Sequence, residues 1–385
     1  MGKKRARLYK SAIHMNKNNK GVFVMNTFKK IGLTALGTSL VASSAIAADF
    51  SVSGDAGYTW SAEDVGGAAT NDGIGYNHDI TISGSGELDN GWSVNTSMIL
   101  TEDSSLSSSY VKLTMGSMGN IIVGNGYGGQ GQAFDDVTPR AYEENHDGMK
   151  TTTAIDSIGT LMDNGQIQYN SPSVDLMGAS VNFGIGYAPE ADDTVVGEGG
   201  VSGGASKSYA NGQEARVNVS YGGLSAGVYA NEVKLDGGVA RAYMDQDASD
   251  ATWFANYTIG PVSFGYQVGG TDRGIAGANN ANNSSAKKVT TANGNFEFEK
   301  MSIAFNVNES FSISWGELTE TYDEQSNVAG GTEIADVDME STSIQFAYTM
   351  GSMSIKGYQT DTDNPGWDSD AKSDEVTELA INFAF

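Results

Sequence analysis

Few residues of this 385-residue chain could do covalent or metal chemistry. There is no cysteine, so thiolate nucleophiles, thiolate metal sites and disulfides are excluded. Two of the three histidines, His78 and His146, lie beyond residue 47. Neither comes with the nucleophile motif that a Ser-His pair needs. The run Gly124-Asn125-Gly126-Tyr127-Gly128-Gly129 has the glycine density of a phosphate-binding loop. It lacks the Lys-Ser/Thr and the helix that would follow, and reads as the start of a loop. Asp361-Thr362-Asp363-Asn364-Pro365-Gly366 begins like a calcium loop but fails at Pro365, and Lys372 stands where a bidentate carboxylate belongs. A loosely bound Ca2+ at the acidic loops is therefore the one cofactor expectation, and no metal site is assigned. What remains is a concentration of carboxylates in residues 128–163: Asp135, Asp136, Glu143, Glu144, Asp147, Asp156 and Asp163, against only Arg140 and Lys150.

The elements around that segment read as strands. In the last ten residues Thr377, Leu379, Ile381, Phe383 and Phe385 alternate with Glu378, Ala380, Asn382 and Ala384. Side chains of a strand change face at every residue, so this segment has one apolar face and one polar or small face. About 10 residues is the length of a tilted strand that crosses a bilayer, and only a closed barrel leaves no unpaired backbone in lipid. The same period recurs upstream. Phe50, Val52, Ala56, Tyr58 and Trp60 share a face, as do Val181, Phe183, Ile185 and Tyr187, and again Val262, Phe264, Tyr266 and Val268. Aromatic residues gather toward segment ends, as interfacial girdles do. A mean hydropathy of −0.30 is no objection, since a barrel hides its apolar face by alternation.

Connection lengths alternate as well. Asp89-Asn90-Gly91, Tyr221-Gly222-Gly223, Gly260-Pro261, Asn308-Glu309 and Gly351-Ser352 are tight turns. Long polar connections fall around 189–208, 235–249, 270–287, 322–337 and 360–374. Short turns at one rim and long loops at the other predict an all-β, closed antiparallel transmembrane barrel of about 16 strands. One stretch is irregular: the apolar phase slips between Phe296, Phe298 and Ile303, Phe305, Val307, which implies a bulge or a miscounted turn.

The N-terminal part reads as an export signal. From residue 25, Lys29 and Lys30 precede an apolar run over 31–41 and a small-residue site at Ala45-Ile46-Ala47. The run is too short to span a membrane as a helix. Cleavage between Ala47 and Ala48 is expected, with residues 1–24 a dispensable extension, 25–47 the signal and 48–385 the barrel. The remaining 338 residues hold 13 bases and 47 acids, a balance that excludes nucleic acid as a partner.

The run SSSYVKLTMGSMGNIIVGNGYGG at 107–129 resembles the general-porin motif in which two strands flank a Gly-rich turn ahead of a constriction loop. The run NGQIQYNSPSVDLMGASVNFGIGYAPE at 164–190, with its Tyr-x-Ser-Pro strand, is similar to the segment where that family restarts its barrel. With the signal and the terminal Phe in place, the resemblance to Gram-negative general porins of the alphaproteobacterial type spans the whole exported chain. It implies a 16-stranded homotrimeric barrel in the outer membrane, surrounded by lipid and lipopolysaccharide. The third loop, 128–163, would fold inward and narrow a water-filled pore. The resemblance further implies that the barrel-assembly machinery reads Phe385 as an assembly signal, and that a basic wall faces the acidic loop. Where the family often has a lumenal arginine, this chain has Ser108 and Ser109. By strand parity the candidate wall bases are Lys112, Arg216 and Lys356, and the candidate constriction acids are Asp135, Asp136, Glu143, Glu144 and Asp147.

The function expected is passive diffusion of small hydrophilic solutes and ions, which needs no catalytic residue and no enzyme activity. Clustered carboxylates in a narrow aqueous passage raise the local cation concentration, so a weak cation preference is expected. The alternatives are a substrate-selective outer-membrane channel and a structural or adhesive surface barrel with a closed lumen. Conductance of the purified protein separates them.

Overall fold

The computed structural model describes residues 49–66, 68–101, 105–145, 155, 157–163, 165–191, 209–235, 247–272, 274, 295–323 and 336–385. The signal segment with Ala47 and Ala48, the constriction acid Asp147, and most of four long connections lie outside the described residues.

The strands are β1 (Asp49–Val65), β2 (Ala68–Glu87), β3 (Ser93–Leu100), β4 (Leu106–Thr114), β5 (Asn120–Asn125), β6 (Gln166–Asn170), β7 (Val174–Leu176), β8 (Ala179–Ala188) and β9 (Tyr209–Tyr221). They continue as β10 (Leu224–Leu235), β11 (Ser249–Ile259), β12 (Val262–Asp272), β13 (Asn295–Asn308), β14 (Phe311–Asp323), β15 (Val337–Met350), β16 (Met353–Asp363) and β17 (Asp374–Ala384). Apart from β6 and β7, each pairs with its sequence neighbour, and β1 closes the ring antiparallel on β17 from Asp55↔Ala384 to Asp64↔Glu375. Both β6 and β7 pair with β8, so they are two pieces of one staff and the wall has 16 strands. The break falls at Pro172, which has no N–H to offer a ladder. Ser171 bridges it, its N–H donating to Phe183 O and its hydroxyl accepting from Phe183 N–H, both at 2.9 Å.

The tight turns stand where the spacing predicts. Gly222, Gly260 and Gly351 hold φ of 57°, 58° and 62°, the left-handed backbone that two-residue hairpins require and that side chains resist. The outer face also follows the alternation. Phe183, Ile185, Val217, Trp253, Tyr257, Phe264, Leu379, Ile381 and Phe383 all project outward and are exposed. Phe385 ends the seam, with Gly54 N–H donating to Phe385 O at 2.9 Å and Phe385 N–H donating to Gly54 O at 3.0 Å.

The phase slip in β13 has a different cause from the one expected. β13 is one continuous strand whose register with β12 never shifts, from Val262↔Phe305 to Asp272↔Asn295. Met301, Phe305 and Val307 face outward, whereas Phe296 and Phe298 face inward and are buried. No register shift falls between Phe298 and Ile303 on either side, the one irregularity of β13 being against β14 at Asn306 and Asn308; the lumen itself is apolar at that end. Phe296, Phe298, Leu318, Tyr322 and Met339 of β13–β15 join Tyr229 and Phe254 of β10 and β11 in one buried cluster with Phe134, Ile155 and Ile158 from the third loop. Trp367, from the β16–β17 connection, tucks into the same cluster, 4.9 Å from the Phe296 ring, and its indole N–H donates to Glu320 O at 3.1 Å. A second cluster combines Met162 of the loop with Ala188, Tyr209, Val233 and Ala248. On the β8–β15 side, the barrel interior is a packed core.

Candidate functional site: a strap along the inner wall

The third loop leaves β5 at Asn125 and returns to β6 at Gln166. Its base is pinned by Gly126 N–H donating to Asp163 O at 3.1 Å and Gly128 N–H donating to the Asp163 carboxylate at 2.5 Å. The first leg then runs around the inner wall as a strap, and the lumenal side chain of strand after strand meets its backbone. Glu214 of β9 accepts from Gln130 N–H at 2.8 Å and from the Tyr229 hydroxyl at 3.1 Å. Phe134 is fully buried between Tyr229 and Phe254, with centroids 5.7 and 5.5 Å away. Gln267 of β12 donates to Phe134 O at 2.6 Å and accepts from Val137 N–H at 3.1 Å. Asn256 donates to Val137 O at 2.7 Å, and Ser302 to Pro139 O at 2.7 Å. Ala141 N–H donates to Ser314 Oγ at 2.8 Å. Gln345 of β15 accepts from Tyr142 N–H at 3.0 Å and donates to Glu143 O at 2.6 Å. Irregular backbone inside a barrel must find partners, and the wall supplies them one by one.

Close approach needs room. A Cβ on Gly227 would press on Phe134, one on Gly265 on Pro139, and one on Gly316 on Asn145. These lumenal glycines of β10, β12 and β14 are a groove for the strap.

The charges sort themselves along this path. Asp136, 2% exposed, is ion-paired with Lys300 of β13, itself 1% exposed, and also accepts from the Thr138 hydroxyl at 2.8 Å. It faces the wall and not open water. Arg140 pairs with Glu144 at 3.0 Å and stands 3.7 Å from Asp136. Asp135, one carboxylate oxygen of which is buried, adds its charge beside Lys300, and Glu143 is partly exposed. The three wall bases all lie on lumenal faces. Lys112 sits opposite the buried Ile122. Arg216 is directed onto the strap, donating to Gln130 and, at 3.0 Å, to Asn170 Oδ1. Lys356 stands 5.0 Å from the centroid of the Tyr142 ring.

Several of these anchors escape a sequence reading: Lys300, Glu214, Gln267, Gln345, Glu378 and Asp250, which accepts from Gly159 N–H at 3.0 Å on the strap's second leg. Each shares the lumenal parity of its strand, so parity alone nominates them among dozens. The lumenal glycines beside them are the signal that would have narrowed the choice.

On the other side of the barrel the inward faces of β1–β3 are polar. Thr59, Ser61, Ser83, Ser85, Asn95 and Ser97 line that inner wall, Ser83 pairing with Ser97 across β2 and β3. Hydroxyls and amides here let a hydrated solute exchange partners without shedding its water. Among the described residues no group of three or more His, Cys, Asp or Glu side chains is arranged to hold a metal ion.

A family model described as Gram-negative porin matches residues 32–385. Among solved structures, OmpF of Salmonella typhi in complex with daunomycin is 13% identical, with a TM-score of 0.65, over 87% of this chain and 97% of that one. An anion-selective porin from Comamonas acidovorans is 14% identical, with a TM-score of 0.60, over 88% and 100%. The outer membrane channel DcaP of Acinetobacter baumannii is 14% identical, with a TM-score of 0.58, over 89% and 99%. These likenesses are likenesses of fold. Among curated proteins none matches.

Proposed function

The chain belongs to the Gram-negative porin family and forms an outer-membrane channel, and we propose that the channel serves passive diffusion of small hydrophilic solutes with a weak preference for cations. The observation that carries this reading is the strap itself. It is fixed to one side of the lumen by an apolar core and a series of side-chain hydrogen bonds, and the inner wall on the other side is lined by hydroxyls and amides. A plugged adhesive barrel has no need of that polar lining.

The cation preference rests on the charges facing the passage. Glu143 on the strap and Glu378 on β17 meet Lys112 and Lys356, while Asp135 and Asp136 stand against Lys300 and Glu144 pairs with Arg140. Screening over about 8 Å at physiological salt confines the effect to the constriction. The anion-selective Comamonas porin shares the fold, so the sign of selectivity belongs to each chain's own lining.

We assign a homotrimer contact to the outer face of β2–β4, where the small residues Gly84, Gly86, Thr96 and Ser109 lie among the exposed apolar Ile80, Met98 and Val111. Around it lie lipid and lipopolysaccharide, and the barrel-assembly machinery engages the strand ending at Phe385. Any calcium at the acidic loops is held loosely, and a chelator leaves conductance unchanged. Single-channel recording in a planar bilayer tests the core of the reading: stable open steps are expected, and a folded barrel without them overturns it.

A further inference from the structure

Tyr142 lies where the strap meets the open side of the lumen, and two charges converge on it. Its hydroxyl donates to Glu378 Oε1 at 2.9 Å, while Lys356 Nζ stands over its ring, 5.0 Å from the centroid. Lys356 faces Ala380 across β16 and β17, and Glu378 faces Tyr358. The two charged residues are therefore diagonal neighbours on the lumenal face, at a spacing of about 7–8 Å between Cα atoms that long side chains readily bridge. They form no ion pair with each other among the described residues. The tyrosine keeps them apart: the ring face takes the ammonium and the hydroxyl takes the carboxylate.

None of the three side chains is buried. Lys356 is flanked across its two ladders by Ala347 and Ala380, so small side chains leave space beside its head. Glu143, next to Tyr142 in the strap, adds a second carboxylate on the Glu378 side. A lysine and a glutamate head group thus stand on one wall of the lumen, separated and partly exposed.

We propose that Lys356, Tyr142 and Glu378 form a solute-contact subsite that favours small zwitterions, the solute's carboxylate meeting Lys356 and its ammonium meeting Glu378. This rests on the channel reading above and adds to it a solute class. A solute with one charge gains one contact and suffers one repulsion, whereas a zwitterion of matching span gains both. Exposed ion pairs contribute about 1 kcal/mol or less, which is weak enough for release, as conduction requires.

Swelling of liposomes containing the full-length folded protein tests this with two isomers of the same size, γ-aminobutyrate (zwitterionic) and 4-hydroxybutanamide (neutral). The zwitterion should enter about two- to fivefold faster, in line with one or two exposed ion pairs, and the ratio should fall to about one in Lys356→Gln and in Glu378→Gln. The neutral isomer's rate in each variant corrects for any change of pore size, and heat-modifiable gel mobility confirms that each barrel is folded. Equal rates in the native protein, or a ratio that survives both substitutions, overturn the subsite and leave the channel reading standing. Absence of swelling with either isomer overturns the channel reading and the subsite together.

Discussion

Lys300 and Asp136, 164 positions apart in the chain, form an ion pair with side chains 1% and 0% exposed, and it fixes the constriction strap to β13. Removing one partner of such a pair leaves an uncompensated buried charge, at a cost of about 3–5 kcal/mol. Lys300→Met and Asp136→Asn should therefore each loosen the strap, seen as larger and noisier conductance steps and a lower unfolding temperature. The double replacement Lys300→Met with Asp136→Leu should recover much of the stability. Single variants indistinguishable from the native channel would remove the pair from this role.

The groove makes a steric prediction. Gly316→Val pushes a branched side chain into the space of Asn145, and Gly265→Val does the same at Pro139. Both should displace the strap toward the passage and reduce single-channel conductance while the barrel still assembles. Conductance equal to that of the native protein would show that the glycines are not needed for docking.

Selectivity should follow the carboxylates of the strap. Reversal potentials across a salt gradient are expected to show a weak cation preference that fades at high salt and falls further in the double variant Asp135→Asn, Glu143→Gln. Anion preference in the native protein would refute the assignment.

One exposed charge pair offers a pH test. Asp247 accepts from Lys234 at 2.7 Å and from Leu235 N–H at 2.9 Å, and the lysine hydrogen bond, then the backbone one, hold its carboxyl below the usual aspartate range. A lowered carboxyl contributes its stability above the ordinary unfolded value and loses it as pH falls through the lowered one. Titration of Asp247 by NMR should therefore fall on the acid side of an ordinary aspartate and move back up in Lys234→Met.

Deleting Phe385 takes away the residue whose backbone clasps Gly54 at the seam between β1 and β17. The amount of folded protein in the outer membrane should drop sharply while export across the inner membrane continues. Undiminished levels would show that the last strand carries no assembly information.

The wall was legible in the sequence because lipid imposes one rule on the middle of every strand: each outward residue must be apolar or small, as from Phe50 to Ala62 in β1, Val262 to Gly270 in β12 and Thr377 to Phe383 in β17, with acids (Asp64, Asp272, Glu375) appearing outward only at the strand ends. The interior has no such rule. Phe296 and Phe298 look out of phase only because the lumen beside them is as dry as a soluble core, and Lys300 is hidden in the same strand by the same circumstance. Charge counts over 128–163 found the strap but left out Lys300, which meets Asp136 from β13. Alternation names the face of a residue, whereas its partner depends on where a loop hundreds of positions away comes to rest.

That separation sets an order of assembly. The strap leaves the chain between β5 and β6, yet its contacts lie 84 positions away at Glu214, 203 away at Gln345 and 236 away at Glu378. Contacts so distant cannot form before the strands that carry them exist, and closing such long loops has an entropic cost that only the finished wall offsets. Docking of the strap is then a late step, coupled to the arrival of β15–β17. A barrel caught before its seam closes should have much of its hydrogen-bonded wall and an unobstructed lumen, so an open, strapless channel is the natural intermediate on the way to the narrow one.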